Sequence, residues 1–314
     1  MTSGKSKLES RVTGTWGLLA GTMQTVAAGF QSARVGRIVS SPIAKGGRDA
    51  ALLAGWKPAA TEPLQSRLVA LAYFHYNRFM RNPIIVALDV PTAEEALKLV
   101  EQLAPVSGGF KVGSELFTGA GPDIVRRIRG LGAPVFLDLK FHDIPSTVAK
   151  AVAAAVRLDV QMLTVHASGG MDMLKAAEQV AQESAWQLGH TPPLVLAVTV
   201  LTSLDSNALS QIGLDPNVSR QVRRLANMAN QAGLRGLVCS AREVAEVRQM
   251  LPASTQLVVP GIRPQTVAGD DQQRTLTPRE ALALGANWLV IGRPICAAED
   301  PRAAAERILK EMAG

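Results

Sequence analysis

Residues 136–148 read FLDLKFHDIPSTV. The first half belongs to a longer apolar run, PVFLDLKF at 134–141, which has the length and composition of a strand. The second half leads into STVAKAVAAAVRL at 146–158, an Ala- and Val-rich stretch that reads as a helix. A strand that passes into a helix across a four-residue turn is one β/α unit. Asp138, Lys140 and Asp143 lie in this unit among apolar neighbours. Charges in a buried strand are costly unless they are paired.

The same beat continues in both directions. Short β-branched runs recur as IIVALDV (84–90), GFKVG (109–113), QMLTVHA (161–167), LVLAVTVLT (194–202), GLVCSA (236–241), QLVVPGI (256–262) and WLVIGRP (288–294). Helix-like segments lie between them: TAEEALKLVEQLA (92–104), GPDIVRRIRGLG (121–132), AREVAEVRQML (241–251), TPREALALG (277–285) and DPRAAAERILKEM (300–312). The first of these opens on Thr92 with Glu95 three residues on, the pattern of a capping box. Eight apolar strands, each followed by a helix, predict an α/β protein of the (β/α)8 TIM-barrel class. A doubly wound open sheet is the competing architecture. It is disfavoured because no G-x-G-x-x-G follows the first strand.

The barrel accounts for only part of the 314 residues. Residues 1–82 carry eleven Lys/Arg against three acids, whereas residues 83–314 are nearly neutral, so the net charge of +7 belongs to the N-terminal segment. A basic balance confined in this way does not point to a nucleic-acid-binding barrel. Residues 12–33 hold no charge but are interrupted by Thr, Gln, Ser and Gly, too weakly apolar for an expected membrane span. The division expected is 1–82, an irregular or weakly helical extension that is disordered or loosely attached, and 83–314, the barrel. The extension also has the low-acid, Arg- and Ser-containing character of an organelle transit peptide, and Met80 offers an alternative start. Two cysteines, Cys239 and Cys296, make no disulfide framework or metal motif and point to a reducing compartment, the cytoplasm by default.

In this architecture chemistry sits at the C-terminal ends of the strands. Polar residues fall there: Asp89, Lys111, the Asp138/Lys140/Asp143 group, His166, Thr202, Arg263, Gly292 and Arg293. Asp138 and Lys140, two apart in a strand, are expected to share the interior face, with Lys111 in reach from the adjacent strand. Two lysines and two aspartates so placed neutralise one another and lower the cost of burial. VIGRPI (290–295), GIRP (261–264) and GDDQQR (269–274) form the last two βα loops, the usual phosphate position in these barrels, where Arg293 offers a fork for phosphate oxygens. The residues alone therefore describe an enzyme acting on a phosphorylated small molecule, or an ion-pair network that merely fixes the barrel. They contain neither histidine ligand spacing nor a nicotinamide or flavin fingerprint.

Residues 83–312 resemble the orotidine 5′-phosphate decarboxylase family. The resemblance is carried by ALDV at Asp89, KVG at Lys111, FLDLKFHDIPST (136–147), VHASGG (165–170), VTVLTS (198–203), PGIRP (260–264), GDDQQR and IGRP. It implies decarboxylation of orotidine 5′-monophosphate to UMP without a cofactor or metal. It further implies that Lys140 donates the proton to C6, that Asp138 faces the substrate carboxylate, and that Lys111 and Asp89 contact the ribose. Thr202 would contact the pyrimidine. Arg263, Gln272, Gly292 and Arg293 would hold the phosphate. Asp143 and Thr147 would reach the neighbouring subunit's site in a homodimer. Two other functions stay open: a Mg2+-dependent sugar-phosphate decarboxylase or aldolase built on the same D-x-K-x-x-D array, and a non-catalytic nucleotide-binding module.

Overall fold

The computed structural model describes residues 82–264 and 276–313. Eight strands close into a parallel barrel in sequence order. They are β1 (Ile84–Ala87), β2 (Gly109–Gly113), β3 (Val135–Phe141), β4 (Met162–His166), β5 (Leu194–Val198), β6 (Gly236–Val238), β7 (Gln256–Pro260) and β8 (Trp288–Ile291). The ring is closed by β1 against β8, with Ile84 opposite Leu289 and Val86 opposite Ile291. The open-sheet alternative is thereby excluded, and every quoted apolar run contains one strand.

The helices among the described residues are α1 (Ala93–Leu103), α2 (Ser114–Ala120), α3 (Asp123–Gly130), α4 (Pro145–Val156), α5 (Met171–Leu188), α6 (Ser206–Gln211), α7 (Val218–Gln231), α8 (Val244–Met250), α9 (Pro278–Ala283), α10 (Arg293–Cys296) and α11 (Pro301–Ala313). At α1 the Thr92 hydroxyl accepts from the Glu95 amide at 3.3 Å, one half of the expected box. The reciprocal box is found instead at α9, between Thr277 and Glu280. None of the described helices is long and apolar enough to cross a membrane.

Both faces of the strands are apolar because both are covered. Ile85, Ala87, Phe136, Met162, Leu196, Val258, Trp288 and Val290 fill the barrel interior as one cluster. Ile84, Val86, Val135, Leu137 and Leu163 point outward into the layer shared with the helices. The period of two survives inside each run, and it decides which side chains climb the interior towards the mouth. On β3 that column runs from Phe136 to Asp138. On β4 it runs from Met162 through Thr164 to His166. On β2 Lys111 lies opposite Ala87 and Phe136, so it also points inward.

The opposite end of the barrel is tied by Asn82. Its side chain donates to the Val106 carbonyl at 2.9 Å and accepts from the Ile84 amide at 3.0 Å. The neighbouring Gly108 has no alternative: a Cβ there would lie 2.0 Å from the Asn82 carbonyl oxygen. Residues 1–81 of the expected extension, with Met80, and Gln272 of the expected phosphate loop lie outside the described residues.

Candidate active site at the barrel mouth

Four charged side chains from the first three strands meet above the apolar plug. Lys111 Nζ lies 3.0 Å from Asp89 Oδ1 and 3.8 Å from Asp138 Oδ2. Lys140 Nζ lies 3.0 Å from both oxygens of Asp138. The order is acid, base, acid, base, with Lys111 and Asp138 each only 13% exposed and Asp89 at the rim 60% exposed. Removing any one inner member strands its neighbour's charge in a poorly solvated place. Asp143 is not the fourth member within one chain, as the sequence spacing suggested; Asp89 is. Asp143 lies past the end of β3, exposed, and accepts from the Ile144 amide at 2.6 Å. Thr147, on the first turn of α4, is exposed on the same segment.

The strand carrying Asp138 and Lys140 is not regular. Its pairing with β4 jumps from Leu137 opposite Leu163 to Phe141 opposite Val165, so that residues 138–140 bulge across from Thr164 alone. Lys140 adopts φ +51, the left-handed region that side chains other than glycine rarely enter. That conformation costs roughly 1–2 kcal/mol. Simple alternation along a regular strand therefore does not explain why Asp138 and Lys140 meet. The bulge re-aims Lys140 so that its ammonium comes back over the Asp138 carboxylate, a recurring use of bulges beside active sites.

Thr164 was not among the residues singled out from the sequence. It is fully buried, and its hydroxyl accepts from the Lys140 amide at 2.9 Å and donates to Asp138 Oδ1 at 3.0 Å. The available signal was a hydroxyl inside an otherwise apolar strand, two residues before a strand-end histidine.

His166, half-buried, closes this wall, its ring centroid 5.3 Å from that of His142. Burial, then the neighbouring His142 and Lys140, hold its pKa below the ordinary histidine value. The unfolded chain therefore takes up a proton as pH falls through about 6.5, while the folded chain resists it. Stability should be complete above that pH and decline below it. The midpoint of thermal unfolding is expected to fall between pH 7.5 and 5.5, and to fall less in His166→Gln; equal slopes in the two proteins would remove His166 from the account.

Across the mouth stand the last two βα loops. The Arg263 amide donates to the Leu276 carbonyl at 3.1 Å, bringing together the two ends of the segment 265–275. Gly292 packs closely on the array side: a Cβ there would meet Ala87 Cβ at 3.3 Å and Asp89 Oδ2 at 3.4 Å. Arg293, the next residue, is exposed at the start of the short α10. Thr202 is exposed in the turn after β5. Neither thiol belongs to the array: Cys239 is buried, which pushes its pKa up, and Cys296 points at the Ala87 carbonyl with its pKa pushed up to about 11 by burial.

A barrel with this array matches a known family model. Residues 82–308 match the orotidine 5′-phosphate decarboxylase / HUMPS family. The chain belongs to this family. It is 53% identical over 234 residues to the orotidine 5′-phosphate decarboxylase of Nitrosococcus oceani, spanning 74% of this chain and 98% of that protein. It is 50% identical over 233 residues to the protein of the same name from Paramagnetospirillum magneticum, spanning 74% and 99%. Among solved structures, the orotidine 5′-phosphate decarboxylase of Lactobacillus acidophilus superposes with a TM-score of 0.67 at 38% identity, covering 74% of this chain and all of that one. The orotidine 5′-phosphate decarboxylase family match thus begins at Asn82, the residue that ties down the base of β1.

Proposed function

We propose that this chain decarboxylates orotidine 5′-monophosphate to UMP and CO2, the last step of UMP synthesis. The observation that carries the reading is the alternating array, with Lys140 Nζ held 3.0 Å from both oxygens of Asp138. The names of the relatives supply the substrate.

The chemistry asks for what such an array offers. When the bond between C6 and the carboxylate breaks, its electron pair stays on C6, in the ring plane, with no conjugated sink. A fixed ammonium near C6 stabilises that charge and then gives it a proton. Lys140 takes this role. Asp138, beside it, faces the substrate carboxylate and disfavours the bound reactant more than the transition state. Lys111 and Asp89 take the ribose hydroxyls, which suits their place at the rim end of the array. Thr202 contacts the base. Arg263, Gln272, Gly292 and Arg293 take the phosphate, at the far end of the substrate from the reacting bond.

The site is shared between two subunits in this reading. Asp143 and Thr147 are exposed and flank Ile144, a large apolar residue left 64% exposed. The exposed Ile144 is what supports a contact with a second copy, a homodimer in which Asp143 and Thr147 complete the neighbour's array. The two free thiols support a reducing compartment, the cytoplasm by default.

The test is the ultraviolet absorbance change on adding orotidine 5′-monophosphate in the presence of EDTA. Turnover that EDTA leaves unchanged is expected. No turnover, or turnover only of a sugar phosphate with Mg2+, would favour the other branch of the family. Arg293→Ala should raise KM by about 10–100-fold, the usual worth of a charge-assisted contact, with a smaller loss in kcat because phosphate binding also organises the site. An unchanged KM would take Arg293 out of the phosphate group.

A further inference from the structure

We propose that Thr164 is the positioning residue for Lys140: its hydroxyl fixes the backbone of the β3 bulge and thereby the place of the ammonium. The inference rests on the decarboxylase reading for its consequence in turnover, but not for its geometry.

Three residues of β3, Asp138 to Lys140, stand opposite the single residue Thr164. In that gap the ladder does not supply the Lys140 amide with its ordinary carbonyl partner, and a buried amide left unpaired is strongly disfavoured. The Thr164 hydroxyl fills the gap at 2.9 Å. A hydroxyl has one proton to give, and Thr164 directs it to Asp138 Oδ1 at 3.0 Å. One oxygen thus accepts from the backbone of the lysine and donates to the carboxylate that holds the same lysine's side chain. Both ends of the Lys140 residue are referenced to one fully buried atom on a neighbouring strand. Leu163 and Val165, the flanking residues of β4, have no group that could do this. Thr164 is also too deep to touch a substrate, so it acts through Lys140 and Asp138.

The discriminating substitution is Thr164→Val, which keeps the branched shape and deletes the hydroxyl. A small displacement of a catalytic group can cost on the order of 100-fold in rate. We expect kcat to fall by about 10–100-fold while KM and UMP affinity, measured by titration calorimetry, stay within about threefold. Thr164→Ser, which restores the hydroxyl, should recover kcat to within about threefold. A purely structural role would reduce the number of UMP-binding sites and leave kcat per site unchanged; that result overturns the proposal. So does wild-type kcat in Thr164→Val, a parallel loss of UMP affinity, or failure of the serine to rescue. Should the valine variant not fold, Thr164→Ala against Thr164→Ser carries the same comparison.

If wild-type protein does not turn over orotidine 5′-monophosphate, the functional reading fails and the geometric one is still decided by crystal structures of wild type and Thr164→Val. Departure of Lys140 from its positive φ, or of Nζ from Asp138, supports the positioning role. An unmoved Lys140 ends it.

Discussion

Lys140→Ala is expected to abolish turnover while leaving the barrel folded. The substitution removes two contributions at once. A preorganised charge at a developing anion is worth about 100–1,000-fold, and a positioned proton donor about 100–10,000-fold. Because the two act on the same carbanion they do not simply multiply, and a loss of at least about 10,000-fold in kcat is the expected result. The fold should tolerate the change because Lys140 is on the partly exposed side of the array, 36% exposed, while Asp138 keeps Lys111 and the Thr164 hydroxyl. Absorbance kinetics and thermal unfolding of the same sample decide it. Activity within tenfold of wild type would remove Lys140 from the chemistry, and a collapsed unfolding transition would make it a structural residue instead.

The second large effect concerns Asp143. Asp143→Ala alone should be almost inactive if each array is completed from the neighbouring subunit, and so should Lys140→Ala. Mixed and refolded together, the two dead proteins should recover activity. In a heterodimer the subunit with Asp143→Ala keeps its own Lys140 and receives Asp143 from its partner, so one of its two sites is whole. Random pairing makes half the dimers heterodimers, so about a quarter of wild-type activity should return. No recovery above the two parents would mean that Asp143 serves its own chain's site or none.

The barrel was legible because strands covered on both faces read as continuous short apolar runs, set in a regular β/α beat: every quoted run holds its strand. Two of the longest helices were not. Helix α5 starts behind Gly170, at φ +88 and with no side-chain cap, so the usual opening signal is missing. Helix α7 is capped by Asn217, whose side chain accepts from the Arg220 amide, but it follows a loop whose composition hides the cap. In the site, residue types and strand ends located Lys111, Asp138 and Lys140. They did not reveal the left-handed Lys140, because alternation presumes a regular strand and a bulge has no fixed residue signature when no glycine marks it. Thr164 escaped for a related reason: its importance depends on what lies opposite it, and register across strands is not written in either strand alone.

Closure of the ring also governs how the molecule comes into being. Ile84 must wait for Leu289 before its second edge is paired. At a synthesis rate of roughly 5–20 residues per second, β1 spends on the order of tens of seconds as a bare, wholly apolar edge before β8 leaves the ribosome. The lysines and aspartates of the array are all made early, by Lys140, whereas Gly292, which packs beside Asp89, is made almost last. The nascent chain therefore carries a bare apolar edge until the ring closes, and chains truncated before Trp288 would keep that edge for good.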